Sequence, residues 1–245
     1  MNFGFGFMTS SAVDAGASAS AAPAADVPTF ASRDQVDYEA FGQKSIEILL
    51  KRHTGDDKVT TWSLVDDSDN TLIWRGTVEG SDWSPFRVKK TIRASKEAIQ
   101  AALLDTEILQ KLDDMTERMI VLHNVDKEGR LSLRHFTSKG VFPIAGREFV
   151  LVTYATTLPD GRLAIASRSI GLDDVEPFEG YVRGRNIITG YIIDEKLDAQ
   201  GKPYCEVTLL AHADLSGYIP ASIVNMLGTS ATVKVLANLK ALLEK

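Results

Sequence analysis

The chain has 245 residues, of which 44% are hydrophobic and 24% charged, a composition typical of a soluble globular protein. Its net charge of −6 excludes the overall basic character of a nucleic-acid-binding protein, so we expect no nucleic-acid partner. The single cysteine, Cys205, excludes an internal disulfide framework and a cysteine-rich zinc site, and it favours a reducing compartment.

Residues 1–33 are rich in Ala, Ser and Gly, and we interpret them as a disordered tail. The first basic side chain is Arg33, so this segment has neither the basic start of a secretory signal nor the arginines of a transit peptide. No window contains 18 consecutive apolar residues, so no membrane span is expected. We therefore expect a cytoplasmic protein in which residues 34–245 form one domain.

The first half of this domain predicts one helix, three strands and two short helices. The first helix ends before Gly55, and an acidic turn joins the first two strands. Ser95 is placed to cap the first short helix. In chain order these elements are Asp34–Arg52, Thr60–Val65, Thr71–Glu79, Phe86–Arg93, Lys96–Leu104 and Glu107–Leu112.

The second half predicts a meander of strands. Short turns such as the one at Asp160-Gly161 join most of them, and consecutive strands joined by short turns form an antiparallel sheet. Gly171–Gly180 is predicted as a long acidic loop, and the fold class is α+β. The strands are predicted at Met119–Val125, Arg130–Thr137, Glu148–Thr157, Arg162–Ile170, Tyr181–Asp194 and Tyr204–Asp214.

The chain ends in a long predicted helix, with Pro220 suited to its first turn. Apolar residues at spacings of three and four form one wide face, which either fills an ordinary core or covers a cavity as a lid. Gly228 interrupts the helix, either as a point where the lid bends or because the helix packs closely on the sheet. The apolar face consists of Ile223, Val224, Leu227, Ala231, Val235, Leu239 and Leu242.

The predicted strands are apolar on both faces over much of their length, unlike antiparallel strands with one face in water. They also contain many small residues. Small side chains on the inner face of a curved sheet either leave room for a cavity or merely permit strong curvature. These residues are Ala164, Ala166, Ser167, Ser169, Gly184, Gly190, Ala211 and Ala213.

Five local motifs occur in a fixed order over the domain. They are Ser95-Lys-Glu-Ala-Ile followed by Leu104-Asp105-Thr-Glu107 and Leu112-Asp113; Arg147-Glu148-Phe149-Val150; Val182-Arg183-Gly184; Gly190-Tyr191-Ile192-Ile193; and Asp214-x-x-Gly217-x-Ile219-Pro220. In these motifs and in the order of its elements the chain resembles the START family, the StAR-related lipid-transfer domains. The resemblance implies a helix-grip fold, in which a curved antiparallel β-sheet wraps around a long C-terminal α-helix and encloses an apolar cavity.

The resemblance also implies that Gly171–Gly180 closes the mouth of this cavity. Some steroid-binding members of the family place a carboxylate and an arginine inside the cavity. The corresponding positions are Arg134 and Thr153, so that pair is not reproduced. An arginine in a cavity needs a partner, and a lipid phosphate would supply one, which favours a phospholipid. The alternative is that Arg134 points outward to solvent.

Catalytic chemistry has little support in the sequence. No catalytic motif is present and the four histidines lack metal-ligand spacing, so we predict neither an enzyme nor a metal site nor a cofactor. His212 and Asp214 share one face of a strand, where the carboxylate could orient the imidazole, but no nucleophile accompanies them. Cys205 alternates with apolar residues and is interpreted as a buried, inert thiol.

The resemblance therefore implies a lipid-binding protein that carries one lipid, a phospholipid or a sterol, and transfers it between membranes. We expect a monomer whose partners are the lipid and, transiently, a membrane surface. A lipid-sensing protein-interaction module and a helix-grip enzyme acting on a hydrophobic substrate are the alternatives. Phe178 and Tyr181 are the candidates for membrane contact. The candidate ligand-binding residues are Arg134, Phe149, Leu151, Thr153, Ile165, Ser167, Ile223, Val224, Leu227 and Val235.

Overall fold

The structure, a computed structural model, describes residues 27–217, 219 and 221–244, and for residues 221–227 the backbone alone. The helices are α1 (Tyr38–Thr54), α2 (Lys96–Leu104), α3 (Thr106–Leu112) and α4 (Ala221–Leu243). The strands are β1 (Thr29–Phe30), β2 (Thr60–Ser68), β3 (Thr71–Val78), β4 (Phe86–Ile92), β5 (Thr116–Asn124), β6 (Leu131–Ser138), β7 (Gly146–Thr157), β8 (Leu163–Ser169), β9 (Gly171–Leu172), β10 (Tyr181–Arg183), β11 (Arg185–Leu197) and β12 (Pro203–Asp214).

One large sheet of ten strands forms the centre of the domain. Its order is β2-β3-β4-β12-β11-β8-β7-β6-β5, with β10 paired to β7. Every pair is antiparallel except β10 with β7, which run parallel. The predicted α+β class and antiparallel sheet are confirmed. Strands β1 and β9 form a separate parallel pair, so Thr29–Phe30, at the end of the segment predicted as a tail, pairs with the domain.

Capping side chains set the starts of the helices. The Asp37 carboxylate accepts the N–H of Ala40 at 3.0 Å, so α1 begins after it rather than at Asp34 as predicted. The predicted cap of α2 is confirmed, since the Ser95 hydroxyl accepts the N–H of Ala98 at 3.3 Å. Pro220, predicted for the first turn of α4, lies outside the described residues.

Helix α1 covers the outer face of the sheet, which explains why the strands are apolar on both faces. Ala164 and Ala166 lie buried in this layer, not in a cavity. The Leu49 side chain of α1 lies very close to Gly190. A Cβ added to Gly190 would stand 2.7 Å from a methyl carbon of Leu49. For these three small residues the first alternative, room for a cavity, is wrong, because they allow the helix to approach the sheet.

The inner face of the sheet carries α2, α3 and α4. Leu236 and Leu239 of α4 are fully buried there against the sheet and the two short helices. Hydrogen bonds fix the same half of α4: Asn238 Nδ2 donates to the Leu112 carbonyl at 2.9 Å, and Lys240 Nζ donates to the Thr91 carbonyl at 3.2 Å. The C-terminal half of α4 is therefore anchored to α3 and β4.

The segment Gly171–Gly180 lies on the outer face of the sheet. Its Leu172 packs with Val150 and Val152, whose side chains point away from α4. Directly after this segment, β10 pairs with the first residues of β7. The expectation that this segment closes the cavity mouth is wrong, because its apolar residues have their own core on the far side of the sheet.

Glu148 connects this outer segment to the sheet. Its carboxylate is fully buried and accepts three hydrogen bonds, from His135 Nε2 at 2.8 Å, Arg183 Nε at 2.9 Å and the Phe178 N–H at 3.1 Å. Burial alone would raise the pKa of Glu148, but these three donors outweigh it and lower that pKa below its usual value. Glu148 is therefore held as a carboxylate at the centre of an ionic cluster.

The strand predicted at Tyr181–Asp194 is two strands, broken at Gly184. The Gly184 N–H donates to the Glu148 carbonyl, and a Cβ at this position would lie 2.5 Å from the Phe149 ring. The chain crosses so close to β7 that only glycine fits. After it, β11 leaves β7 and pairs with β12 and β8.

Gly228 packs against Phe86, and this favours close packing over a bend in the helix. A Cβ on Gly228 would stand 2.4 Å from the buried Phe86 ring. Alanine improves helix propensity by about 1 kcal/mol, but overpacking costs about 1–3 kcal/mol. We therefore expect Gly228→Ala to lower the free energy of unfolding, as measured by denaturant titration.

Two comparison variants make this test specific. Ser230→Ala, on an exposed position of the same helix, should leave stability unchanged or slightly raised. Adding Phe86→Leu to Gly228→Ala should recover part of the lost stability, because it removes the ring that the new methyl group meets. A Gly228→Ala protein as stable as the wild type would contradict close packing and restore the interpretation of Gly228 as a bend.

Candidate functional site

A cavity of about 290 Å3 lies between the inner face of the sheet and helix α4. Ala211 and Ala213 of β12 leave space on the sheet side, and Gly228 and Ala231 leave space on the helix side. A second pocket of about 200 Å3 shares these four residues and extends towards residues 138–147, 215 and 219. The wall of the cavity is mainly apolar. Its apolar lining includes Leu103, Leu109, Leu112, Met119, Phe136, Phe149, Leu151, Ile165 and Leu209.

The structure brings together seven of the ten residues predicted to contact a ligand. The side chains of Ile223, Val224 and Leu227 lie outside the described residues. A contact between any of these side chains and a ligand stays a prediction. The seven that line the cavity are Arg134, Phe149, Leu151, Thr153, Ile165, Ser167 and Val235.

Sequence reasoning missed many of the lining residues, among them two groups that differ in how predictable they were. Leu103, Leu109 and Leu112 come from the short helices α2 and α3, and a helical pattern alone does not say which surface a helix covers. For Thr189 and Tyr191 of β11, the sequence did contain a signal that they line the cavity. They alternate along a strand whose neighbour β8 contributes Ser167 and Ile165, the residues directly opposite them.

Phe178 and Tyr181 do not line this cavity. The Phe178 ring packs on His135, with centroids 4.2 Å apart, on the outer face of the sheet. The Tyr181 hydroxyl donates to the Glu117 carboxylate at 2.6 Å. The apolar tip beside the second pocket is instead Val141-Phe142, where Phe142 is 98% exposed.

Arg147 joins the two segments that border the second pocket. Its guanidinium donates to the Leu215 carbonyl at 2.8 Å and to the Ser216 carbonyl at 3.0 Å, in the turn that precedes α4. It also donates to the Ala145 carbonyl, at the end of the loop that carries Phe142. A single side chain therefore holds this loop beside the start of the last helix.

Arg134 faces the cavity, which decides between the two orientations considered for it. The residue is only 3% exposed, and it lines the cavity wall. Its Nε donates to the Ser132 hydroxyl at 2.9 Å and its Nη2 to the Leu104 carbonyl at 3.0 Å. Burial lowers the pKa of Arg134 to about 10, an effect that the charge of Asp105 partly opposes. No described carboxylate forms an ion pair with it.

Hydroxyl groups continue from Arg134 across the sheet. Ser132, Thr153, Ser167 and Thr189 lie directly opposite one another on β6, β7, β8 and β11, and we call them the hydroxyl row. The Thr153 and Ser167 hydroxyls are 2.8 Å apart, within hydrogen-bonding distance. Burial raises the pKa of the neighbouring Tyr191 phenol above its usual value. The cavity thus has a polar strip across an otherwise apolar wall.

The pairing of His212 with Asp214 that could have oriented a catalytic imidazole is not formed. His212 lies under α1, where Arg52 donates to its Nδ1 at 2.6 Å and its Nε2 donates to the Trp83 carbonyl. Burial and, to a smaller extent, the positive charge of Arg52 lower the pKa of His212 to about 4, so the ring is neutral. Asp214 pairs with Arg185.

Cys205 is buried in the inner core, where its thiol donates to the Ala94 carbonyl at 3.2 Å. Burial raises the pKa of the Cys205 thiol to about 12, which confirms the interpretation as a buried thiol. Within the described part of the chain, no group of three or more His, Cys, Asp or Glu side chains is placed to hold a metal ion. None of the described helices is long and apolar enough to cross a bilayer.

The fold and the cavity define a class of protein. A sheet wrapped around a terminal helix, with a mainly apolar space between them, is an architecture suited to binding an apolar small molecule. Residues 43–245 match the family model described as START domain. The chain belongs to the START domain family, as its motifs predicted.

Individual relatives are distant in sequence and close in fold. The human StAR-related lipid transfer protein 5 superposes with a TM-score of 0.70 at 15% identity, over 84% of this chain and 98% of that one. A fragment of the StAR-related lipid transfer protein from Xanthomonas axonopodis superposes with a TM-score of 0.60 at 19% identity. The superposition covers 75% of this chain and 99% of that one. The uncharacterized protein PA1579 of Pseudomonas aeruginosa is 23% identical over 186 residues, which cover 75% of this chain and 87% of that protein.

Proposed function

We propose that this protein binds one lipid in the cavity and carries it between membranes. The observation that carries the proposal is the cavity itself: about 290 Å3 of space, mainly apolar, between the sheet and α4. A packed domain leaves few voids larger than a water molecule, so an apolar space of this size is kept for a ligand. Membership of the START family supports a lipid as that ligand.

An apolar cavity speeds the transfer of a lipid between membranes. Moving a lipid through water exposes its acyl chain at a cost of about 0.8 kcal/mol per methylene group. A cavity wall as apolar as the bilayer makes the exchange nearly even in free energy. A carrier that touches the membrane while the lipid moves also avoids the exposed intermediate.

In this proposal the tip of the loop between β6 and β7 contacts the membrane. Phe142 is 98% exposed and Val141 is 44% exposed, beside the second pocket. An aromatic side chain is favoured at the interface between water and lipid. Phe178 and Tyr181 remain predictions, with a smaller expected effect, because the Phe178 ring packs on His135 and the Tyr181 hydroxyl is bonded to Glu117.

The decisive experiment has two parts. Mass spectrometry of an organic extract of the purified protein identifies any lipid bound in a one-to-one ratio. A fluorescence assay then measures transfer of that lipid from donor to acceptor vesicles. Stoichiometric lipid and catalysed transfer support the proposal. A protein that binds no lipid after incubation with vesicles contradicts it, and one that binds lipid but transfers none contradicts the carrier role alone.

The loop tip gives a specific prediction. We expect Phe142→Ser to weaken binding to phosphatidylcholine vesicles by about tenfold, because it removes an apolar side chain whose burial contributes about 1.5–3 kcal/mol. Transfer should slow with it, while lipid bound in solution stays unchanged. Co-sedimentation with vesicles measures the first effect and the transfer assay the second.

Leu197 provides the matched control. It is 67% exposed and is the last residue of β11, at the end of the strand away from the β6–β7 loop. Leu197→Ser should leave vesicle binding and transfer at wild-type levels. If both variants lost vesicle binding and transfer equally, exposed apolar residues would promote membrane binding wherever they lie. The assignment of the membrane contact to the β6–β7 loop would then be wrong.

A further inference from the structure

We propose that the ligand is a single-chain lipid with an acidic head group, a carboxylate or a phosphate monoester, which Arg134 binds at the inner end of the cavity. The inference rests on the proposed lipid binding and names the class of lipid. It differs from the phospholipid and sterol expected by resemblance. Three observations carry it: the charge of Arg134, the hydroxyl row and the size of the cavity.

The first observation is a buried positive charge for which no described carboxylate forms an ion pair. Arg134 is buried and uses its Nε and Nη2 groups on neutral oxygens of Ser132 and Leu104. Its Nη1 forms no hydrogen bond with any described residue, and the nearby Asp105 carboxylate instead caps α3 by accepting the N–H groups of Glu107 and Ile108. A buried charge without a counter-ion is costly, and an anionic oxygen at Nη1 would supply one.

The second observation is the strip of hydrogen-bonding groups beside this charge. Thr153, Ser167 and Thr189 face the cavity, and the Ser132 hydroxyl already bonds Arg134. Tyr191 also lines the cavity, and its hydroxyl has no described hydrogen-bond partner. The Thr189 hydroxyl donates to Asn186 Oδ1 at 2.8 Å, and the Thr153 and Ser167 hydroxyls bond each other. The donors left for the acceptor oxygens of an acidic head group are therefore the Tyr191 hydroxyl and one hydroxyl of the Thr153–Ser167 pair. A sterol offers one neutral hydroxyl and would leave Arg134 without a counter-ion.

The third observation is size. Pockets for drug-sized ligands range from about 300 to 1,000 Å3, and the cavity of about 290 Å3 lies just below that range. The second pocket adds about 200 Å3 in the direction of residues 138–147. This space suits one acyl chain. A phospholipid with two chains requires a larger cavity.

The positions of the two pockets also give the orientation of the ligand. Arg134 lies four residues before Ser138 on β6, about 13 Å along the strand at 3.3 Å per residue, and Ser138 borders the second pocket. Phe136 and Phe149, whose rings stack with centroids 5.5 Å apart, lie between them on the cavity wall. The head group therefore enters first, and the chain extends past these rings towards the second pocket.

Ligand binding to delipidated protein tests this directly. The probes are oleic acid, oleyl alcohol, 1-oleoyl lysophosphatidic acid, dioleoyl phosphatidic acid and cholesterol, with dissociation constants measured by displacement of a fluorescent fatty acid. We expect one of the two single-chain acids to bind at least about tenfold more tightly than the alcohol, since hydrogen bonds to a charged group are stronger than neutral ones. The tighter of the two identifies the head group.

The variant Arg134→Met should remove this preference, because the single-chain acid should then bind no more tightly than the alcohol. Arg75→Met, at an exposed position on β3, is the matched control and should bind like the wild type. Because the comparison of acid with alcohol is made on the wild-type protein, it stands even if Arg134→Met does not fold.

The outcomes separate this inference from the proposed function. If none of the five probes binds, lipid binding itself is contradicted. If the alcohol binds as tightly as the acids, or if dioleoyl phosphatidic acid or cholesterol binds more tightly than the single-chain acids, the inference is overturned while lipid binding stands. Retention of the acid preference in Arg134→Met overturns the role of Arg134.

Discussion

The Ala231→Trp variant is expected to fold and to purify without bound lipid. Ala231 borders both the cavity and the second pocket, so an indole at this position occupies the space that they share. If it excludes four methylene groups of an acyl chain at about 0.8 kcal/mol each, binding weakens by about 3 kcal/mol, or at least a hundredfold. Mass spectrometry of the extracted lipid and the vesicle transfer assay measure the loss.

The matched control is Ala237→Trp. Ala237 is exposed on the same helix, so its replacement adds the same side chain without entering the cavity. We expect it to bind and transfer lipid like the wild type. Circular dichroism and thermal denaturation of both variants show whether the fold is kept. A folded Ala231→Trp protein with wild-type lipid content would place the ligand elsewhere.

Removal of the Glu148 carboxylate should cause the largest loss of stability. Glu148→Ala leaves the partly buried Arg183 guanidinium without its anionic partner and removes the acceptor for His135 and for the Phe178 N–H. Breaking a buried ion pair from one side costs about 3–5 kcal/mol. For a domain of this size that corresponds to a fall in melting temperature of about 10 °C, measured by thermal or urea denaturation.

The same group gives a pH dependence with a definite sign. Because the pKa of Glu148 is lower in the folded protein than its usual value of 4.5, the folded state binds fewer protons. Its contribution to stability is complete above about pH 5 and is lost as the pH falls through the folded-state pKa. The difference in unfolding free energy between the wild type and Glu148→Ala should therefore shrink below about pH 4.

Glu176→Ala is the control for both measurements, because Glu176 is exposed in the same outer segment. It should change stability by no more than about 0.5 kcal/mol, as surface substitutions usually do. If Glu148→Ala were as stable as Glu176→Ala, the three hydrogen bonds of the buried carboxylate would contribute nothing net, and the outer segment would be held by its apolar contacts alone.

The order of elements and most strand positions were predictable from local signals. Asp160-Gly161 forms the tight turn between β7 and β8, with the Gly161 N–H bonded to the Leu158 carbonyl, and Ser95 caps α2. Such features depend on a few neighbouring residues, so a single sequence reveals them. The cavity-lining side chains of β7 followed from strand alternation in the same way, since Phe149, Leu151 and Thr153 share one face.

The features that were missed depend on contacts between residues far apart in sequence. The outer position of Gly171–Gly180 follows from Glu148 and Leu172, whose partners no local pattern identifies. Likewise, Ala164 and Ala166 are small because α1 packs on them, but smallness alone fits a cavity equally well. For Arg134 the sequence left two orientations open, and the choice required the positions of Ser132 and Leu104.

The anchoring of the last helix at its C-terminal half limits how the molecule can open. With Leu236, Leu239, Asn238 and Lys240 fixed to the domain, the helix can move as a lever whose pivot lies near the end of the chain. Gly228 lies eight residues from Leu236, about 12 Å along the axis, so a tilt of about 10° displaces it by about 2 Å. Such a tilt would widen the second pocket, which Gly228 and Ala231 border on the helix side.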